Sequence, residues 1–294
     1  MAVLKDFSAV VGSARSVGSA VILASAQLAN VEYALPGAFS PTNATLIAWR
    51  AAVQAAGHPD PSGDWLRHTD ALLNTLEASG ALAEIDGLAL AGEAATHCVR
   101  DIIDPTRVGA LINAPTYTAR AGVTTNGTTQ YVDTGFNPSS HFSAASNTAF
   151  CFGVYERTNV ATTSWHGVWG GDEGAILLSP RRAGGTIEGY TNSAAYTFSV
   201  ADSLGLSVVV RDGSGVAAWK NGAQVGTSSP TVHSSAMLDA SIYLGGYNNT
   251  AGGAAGFRAT QVAAWIVASA AIDQAVLASA METYMDALGV GVVA

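Results

Sequence analysis

Residues 208–226, VVVRDGSGVAAWKNGAQVG, place apolar, β-favouring runs on both sides of Asn221-Gly222. An Asn-Gly pair supplies the two positive φ values that a two-residue hairpin turn needs. The stretch predicts one strand through Leu206–Val210, a second through Val216–Trp219, and a third from Gln224-Val225. Arg211-Asp212-Gly213 separates the first two. Ser214 lies between glycines in DGSGV (212–216), but no Gly-x-Ser-x-Gly frame surrounds it, so the segment reads as a turn and not as a nucleophile elbow.

Outward from this hairpin the texture stays β. Phe150, Phe152 and Val154 alternate with Cys151, Gly153 and Tyr155, which predicts a strand with one buried face. Ile242–Leu244 and Gln261–Val267 give two more strands. In TTNGTTQYVDTGFNPSS (124–140), Gly127 and Asn137-Pro138 bound a strand at Tyr131–Phe136. Asp273 then caps a final helix in which Leu277, Met281, Tyr284 and Leu288 recur at helical spacing, with Gly289 beyond it. That helix is expected to cover one edge or seal one end of a sandwich.

The front of the chain differs. Thr42 or Asn43 can cap a helix carrying Leu46, Trp49 and Val53, which Gly57 stops. Asp64 can cap a second, with Trp65, Leu72 and Leu76 on one side, after a Pro-containing loop at 58–63. Residues 81–103, including Leu88, Leu90, Cys98 and Ile102, suit strand or helix equally. Residues 1–40 carry too few large side chains for a core and read as an arm that docks elsewhere. The division expected is 1–40 arm, 41–104 small helical region, 105–294 β-sandwich.

Composition supports packing throughout. The 294 residues are 49% hydrophobic and 12% charged, against about 25% charged in ordinary domains. Net charge is −9, and Lys5 and Lys220 are the only lysines. Without a basic cluster, nucleic acid is not an expected partner. No apolar run reaches the roughly 18–20 residues of a membrane span, so no membrane insertion is expected, and the chain reads as one outside the secretory route. Cys98 and Cys151 read as buried thiols, with a single disulfide left open.

At this point the order of pieces resembles a family. TNGTTQYVDTGFNPSS (125–140), VVVRDGSGVAAWKNGAQVG (208–226) and IYLGGYNNTAGGAAGFRATQVAAWIVASAAIDQAVLASAMETYMDALGV (242–290) are similar to the concanavalin A-like, laminin-G-like jelly-roll modules of tailed-phage and prophage structural proteins. The resemblance covers Pro105 to Val290. It implies a mainly β, antiparallel jelly-roll sandwich with a C-terminal helix. It also implies a non-enzymatic, oligomeric component of the particle surface (tail fibre, tail tip or head spike), made in the host cytoplasm. Its partners would be other virion proteins through the N-terminal region, and host-surface glycans.

Among ligands, glycan has the best chemical case. Sugar faces stack on aromatic rings while amides and carboxylates bond the hydroxyls. Trp165, Trp169 and Asp172, Tyr190 and Asn192, and Tyr247 and Asn248 supply that chemistry. The competing reading for Trp165 and Trp169 is core. Two alternatives stand beside this one: a jelly-roll glycoside hydrolase and a cellular carbohydrate-binding module. Hydrolysis needs two carboxylates at set separations. No Glu-x-Asp-x-x-Glu strand occurs, and Asp172-Glu173 would face opposite sides of a strand. The six histidines show no paired spacing for zinc. Asp133, Asp172 and Asp239 read as solvated carboxylates before they read as calcium ligands, so no cofactor is expected.

Overall fold

The computed structural model describes residues 39–143, 148–213, 215–270 and 272–293, together with two short strands, β1 (Arg15–Val17) and β2 (Ala20–Ile22), paired antiparallel. The rest of the expected arm, and Ser214 of the DGSGV turn, lie outside the described residues.

Two helices lead the described chain. Asn43 caps α1 (Ala44–Ala55), its side chain accepting from the Thr45 and Leu46 amides. Helix α2 (Gly63–Ala78) is capped by Ser62, whose side chain accepts from the Trp65 amide, so the expected cap at Asp64 falls inside the first turn. A carboxylate there still favours the helix N-terminus. Trp49, Leu46 and Val53 of α1 and Trp65, Leu72 and Leu76 of α2 are all buried. The Trp49 and Trp65 rings pack 5.2 Å apart.

The remaining chain builds two sheets. The helix-side sheet contains β3 (Ile85–Leu90), β5 (Thr116–Thr118), β6 (Gly122–Thr124), β8 (Ala149–Glu156), β13 (Gly205–Asp212), β14 (Gly215–Lys220), β15 (Ala223–Ser228) and β19 (Gln261–Ala268). Its order is β15-β14-β13-β8-β19-β6-β5, with β3 also on β19. The open sheet contains β4 (Ala110–Ile112), β7 (Tyr131–Asp133), β9 (His166–Trp169), β10 (Ile176–Ser179), β11 (Thr186–Thr191), β12 (Tyr196–Ser199), β16 (Tyr243–Leu244), β17 (Tyr247–Asn249) and β18 (Gly253–Ala255). Its order is β12-β11-β10-β9-β16-β7-β4, and the β17–β18 hairpin joins at β9. Short helices Ala95–Cys98 (α3) and Pro138–His141 (α4) sit in connections. The last helix, α5 (Gln274–Ala287), begins at Asp273, whose side chain accepts from the Ala275 and Val276 amides. The protein is a mainly β, antiparallel jelly-roll sandwich with a C-terminal helix and a small helical N-terminal region.

The Asn-Gly turn forms as the sequence predicts. Lys220 pairs with Ala223 across Asn221 (φ 48°) and Gly222 (φ 78°). Strand β8 departs from expectation, because both its faces are buried. Phe150, Phe152 and Val154 enter the core between the sheets, while Cys151 and Tyr155 enter a second core under the helices. Helix α5 lies in that second core with α1 and α2 through Leu277, Met281, Tyr284 and Leu288. It covers a sheet face, not an edge or an end. The molecule thus has three layers: helices, helix-side sheet, open sheet.

The boundary expected at 104 does not coincide with the sheet. Strand β3 pairs along β19 from Leu90↔Ala264 to Ile85↔Ala268, so residues 85–90 are integral to the sandwich. The strand expected over Tyr131–Phe136 ends at Asp133. There the Thr134 hydroxyl donates to the Ile242 carbonyl, and Asn137 caps α4. Cys98 and Cys151 are both buried and free, and burial pushes each thiol up to about 12. Among the described residues no helix is long and apolar enough to cross a membrane.

Candidate functional site

Two clusters of chemistry-bearing side chains stand out, and they differ in exposure. The first is sealed. Glu156, the last residue of β8, accepts from Arg258 Nε at 2.6 Å, His166 Nε2 at 3.0 Å and Thr260 Oγ1 at 2.8 Å on one oxygen, and from Arg258 Nη2 at 2.9 Å on the other. All three ionisable side chains are fully buried. His166 Nδ1 accepts from the Gly245 amide at 2.9 Å, which places its proton on Nε2 and leaves the ring neutral. Burial lowers the His166 pKa, with Glu156 opposing. Burial alone would raise the Glu156 carboxyl, but Arg258 and His166 outweigh it and hold it at about 2. With every oxygen satisfied and no route to solvent, this cluster fixes the end of β8 against β9 and the 258–260 segment. It is a structural clamp.

The second cluster lies on the outer face of the open sheet, which the helices among the described residues leave uncovered. Residues that alternate along β11 divide between faces: Ile187 enters the core, while Glu188 and Tyr190 point outward. On β9, Val168 faces the core. Trp165, just before the strand, and Trp169, at its end, share the opposite face with Gly167 between them. The Tyr190 ring meets Trp165 edge-on at 5.4 Å and Trp169 edge-on at 5.1 Å. Leu177 of β10 is the register partner of both Gly167 and Tyr190. It is only 3% exposed although it belongs to neither core cluster. The Trp pair is therefore neither core nor free: both rings are half-buried.

A charged pair completes the cluster. The Arg182 guanidinium sits 4.7 Å from the Trp165 ring centroid and its Nε is 2.8 Å from Glu188. Burial raises the Glu188 carboxyl, with Arg182 opposing. Burial also raises the Tyr190 hydroxyl, and the charges of Glu188 and Asp172 add to that. Asp172 and Glu173 are exposed in the turn after β9, not in a strand, so the opposite-faces argument does not apply to them.

Of the residues named from sequence, Trp165, Trp169 and Tyr190 come together, with Asp172 at their margin. Tyr247 and Asn248 lie on β17, which runs parallel to β9 from Tyr247↔Gly167 to Asn249↔Trp169. Asn248 is register partner to Val168, and its Nδ2 donates to the Ser241 carbonyl at 3.1 Å, so it holds the hairpin in place. Asn192 does not belong to the site. It is fully buried, its Oδ1 accepts from the Gly174 amide at 2.7 Å, and its Nδ2 donates to the Ser235 carbonyl at 3.0 Å. Arg182 and Glu188 were missed, although the alternation Glu188-x-Tyr190 carries the signal that puts both on one face. Asp133 accepts from the Gly135 amide within its own turn, and Asp239 accepts from the Asn137 side-chain amide, 102 residues away in sequence. Among the described residues no group of three or more His, Cys, Asp or Glu side chains is arranged to hold a metal ion.

The fold and this face define a helix-backed jelly-roll sandwich with an aromatic patch on its open sheet. No family model and no curated protein matches the chain. Among solved structures, the chain is similar in fold to a Trypanosoma rangeli sialidase mutant displaying trans-sialidase activity, at 12% identity and a TM-score of 0.52. That match covers 78% of this chain and 40% of the sialidase chain. Domain 4 of an extracellular arabinanase from Geobacillus stearothermophilus, in complex with arabinotriose, matches at 13% identity and a TM-score of 0.45, over 67% of this chain and 98% of that domain. At such identities the likeness is one of fold alone.

Proposed function

We propose that the protein is a non-catalytic display and recognition module that binds glycan on its open sheet. The observation that carries this is the half-buried ring cluster Trp165–Tyr190–Trp169 on the sheet face that no helix among the described residues covers. Rings already packed edge to face lose little freedom on binding, so stacking a sugar against them costs little ordering entropy. The strand motifs from Pro105 to Val290 support placing the module on the surface of a phage particle. There the N-terminal region would join it to other virion proteins and to further copies of itself.

Titration with a panel of bacterial-surface oligosaccharides is expected to give saturable binding, weakened at least about tenfold, or ~1.4 kcal/mol, by Trp169→Ala. Absence of binding at millimolar saccharide would remove the recognition reading.

A polysaccharide-cleaving enzyme is the second reading. One observation favours it: the Glu188 carboxyl is raised by burial beside the rings, as a general acid's would be. The Arg182 pair opposes that role. New reducing ends on incubation with polysaccharide would decide for cleavage.

A further inference from the structure

Resting on the recognition reading, we infer that the ring site selects uncharged or amine-bearing saccharides over carboxylated ones, and that Glu188 sets this preference by masking Arg182.

Among the described residues, Arg182 is the cation the structure places against the rings. Two partners already engage it: its Cζ lies over the Trp165 ring, 4.7 Å from the centroid, and its Nε is 2.8 Å from Glu188 Oε2. A guanidinium recognises a sugar carboxylate through a fork of N–H donors. Here Glu188, whose side chain is only 13% exposed, holds the Nε of that fork from within the protein and offsets its charge.

The margin of the site adds negative charge. Asp172 is exposed and close enough to act on the Tyr190 hydroxyl. Glu173, in the same turn, is held instead by the Ser235 hydroxyl, which donates to its Oε2 at 2.6 Å. Lysine offers no compensation: Lys5 lies outside the described residues, and Lys220 sits on the helix-side sheet with its ammonium donating to Ser207. A carboxylated sugar laid on the rings meets the open carboxylate of Asp172 and a neutralised arginine. A neutral sugar loses nothing, and an amine gains.

The test pairs neutral oligosaccharides with their glucosamine-bearing and glucuronate-bearing counterparts, and reads affinities at low and high salt. Wild-type binding should be confined to the neutral and amine-bearing members. Glu188→Gln keeps the side-chain shape and removes the charge. It should raise the ratio of glucuronate to neutral affinity at least about tenfold, since a like charge at close range is worth on the order of a decade. The gain should shrink at high salt. It should be lost again in Glu188→Gln/Arg182→Met, which removes the unmasked cation. Wild-type protein binding the glucuronate-bearing members as well as the neutral ones would overturn the inference and leave the recognition reading standing. An unchanged ratio in Glu188→Gln would likewise overturn the role of Glu188. No binding to any member would remove the recognition reading itself, and the inference with it.

Discussion

Glu156→Gln is expected to lower folding stability by about 3–5 kcal/mol, the cost of leaving one member of a buried ion pair without its partner. Glutamine fits the space, but it puts an amide NH2 where one carboxylate oxygen now accepts from Arg258, His166 and Thr260 or where the other accepts from Arg258 alone. The Arg258 guanidinium then remains fully buried with no counter-charge. Its contacts to the Val160 and Arg181 carbonyls do not neutralise it. Urea denaturation reads the loss as a lower midpoint at unchanged slope. A loss below about 1 kcal/mol would show that the clamp is not buried as described.

The same variant should change the acid limb of stability. The folded-state pKa of Glu156, about 2, lies below its ordinary 4.5, so the wild-type contribution is complete above about 4.5 and is lost as pH falls towards 2. His166 acts in the same direction from higher pH. Its folded pKa is lowered from 6.5, so the unfolded chain takes up that proton first and stability declines as pH drops below 6.5. Wild-type stability should therefore be greatest above about 6.5. Glu156→Gln should lack the steeper decline below 4.5.

Gly167→Ala is the second large effect, and it links the fold to the site. Gly167 has φ +137°, outside the range that side chains accept, and a Cβ there would overlap the Ile176 carbonyl oxygen of the neighbouring strand. Backbone strain of this kind costs about 1–3 kcal/mol. Overpacking against a neighbour adds about 1–3 kcal/mol more. Relief requires β9 to move from β10, where Gly167 faces Leu177, and that displaces Trp165 and Trp169 together. The variant should show a lowered melting temperature and weakened saccharide binding at temperatures where it is still folded. Normal binding in a destabilised Gly167→Ala protein would separate the ring site from the β9–β10 register.

The elements that the sequence announced are those whose signals are local. Asn221-Gly222 dictates its turn through backbone conformation, and Asn43 and Asp273 cap helices through side chains that reach only two or three residues. Gln261–Ala268 declares itself through a run of β-branched and aromatic residues. What stayed hidden depends on distant partners. The two buried faces of β8 exist because helices formed by residues 44–78 and 274–287 cover the sheet, and no periodicity within β8 reports that. Ser62 wins the α2 cap from Asp64 because its hydroxyl is also held by Glu93. Glu156 and Arg258 are separated by 102 residues, so nothing nearby marks either as one of a pair. For the candidate site, composition pointed to a segment in which three of the named aromatics come together. It could not distinguish the rings from Asn192, whose side chain is buried and bonded to Gly174 and Ser235, 18 and 43 residues away in sequence.

The most direct test of the central claim uses the six tryptophans as reporters. Each indole N–H gives its own NMR signal. Trp49, Trp65 and Trp265 are buried in the cores, and Trp219 packs against the helix-side core. On titration with a saccharide that binds, the signals of Trp165 and Trp169 should shift together and saturate while the other four stay in place. Saturation that moves Trp219 or the core indoles, and leaves Trp165 and Trp169 unmoved, would contradict the account.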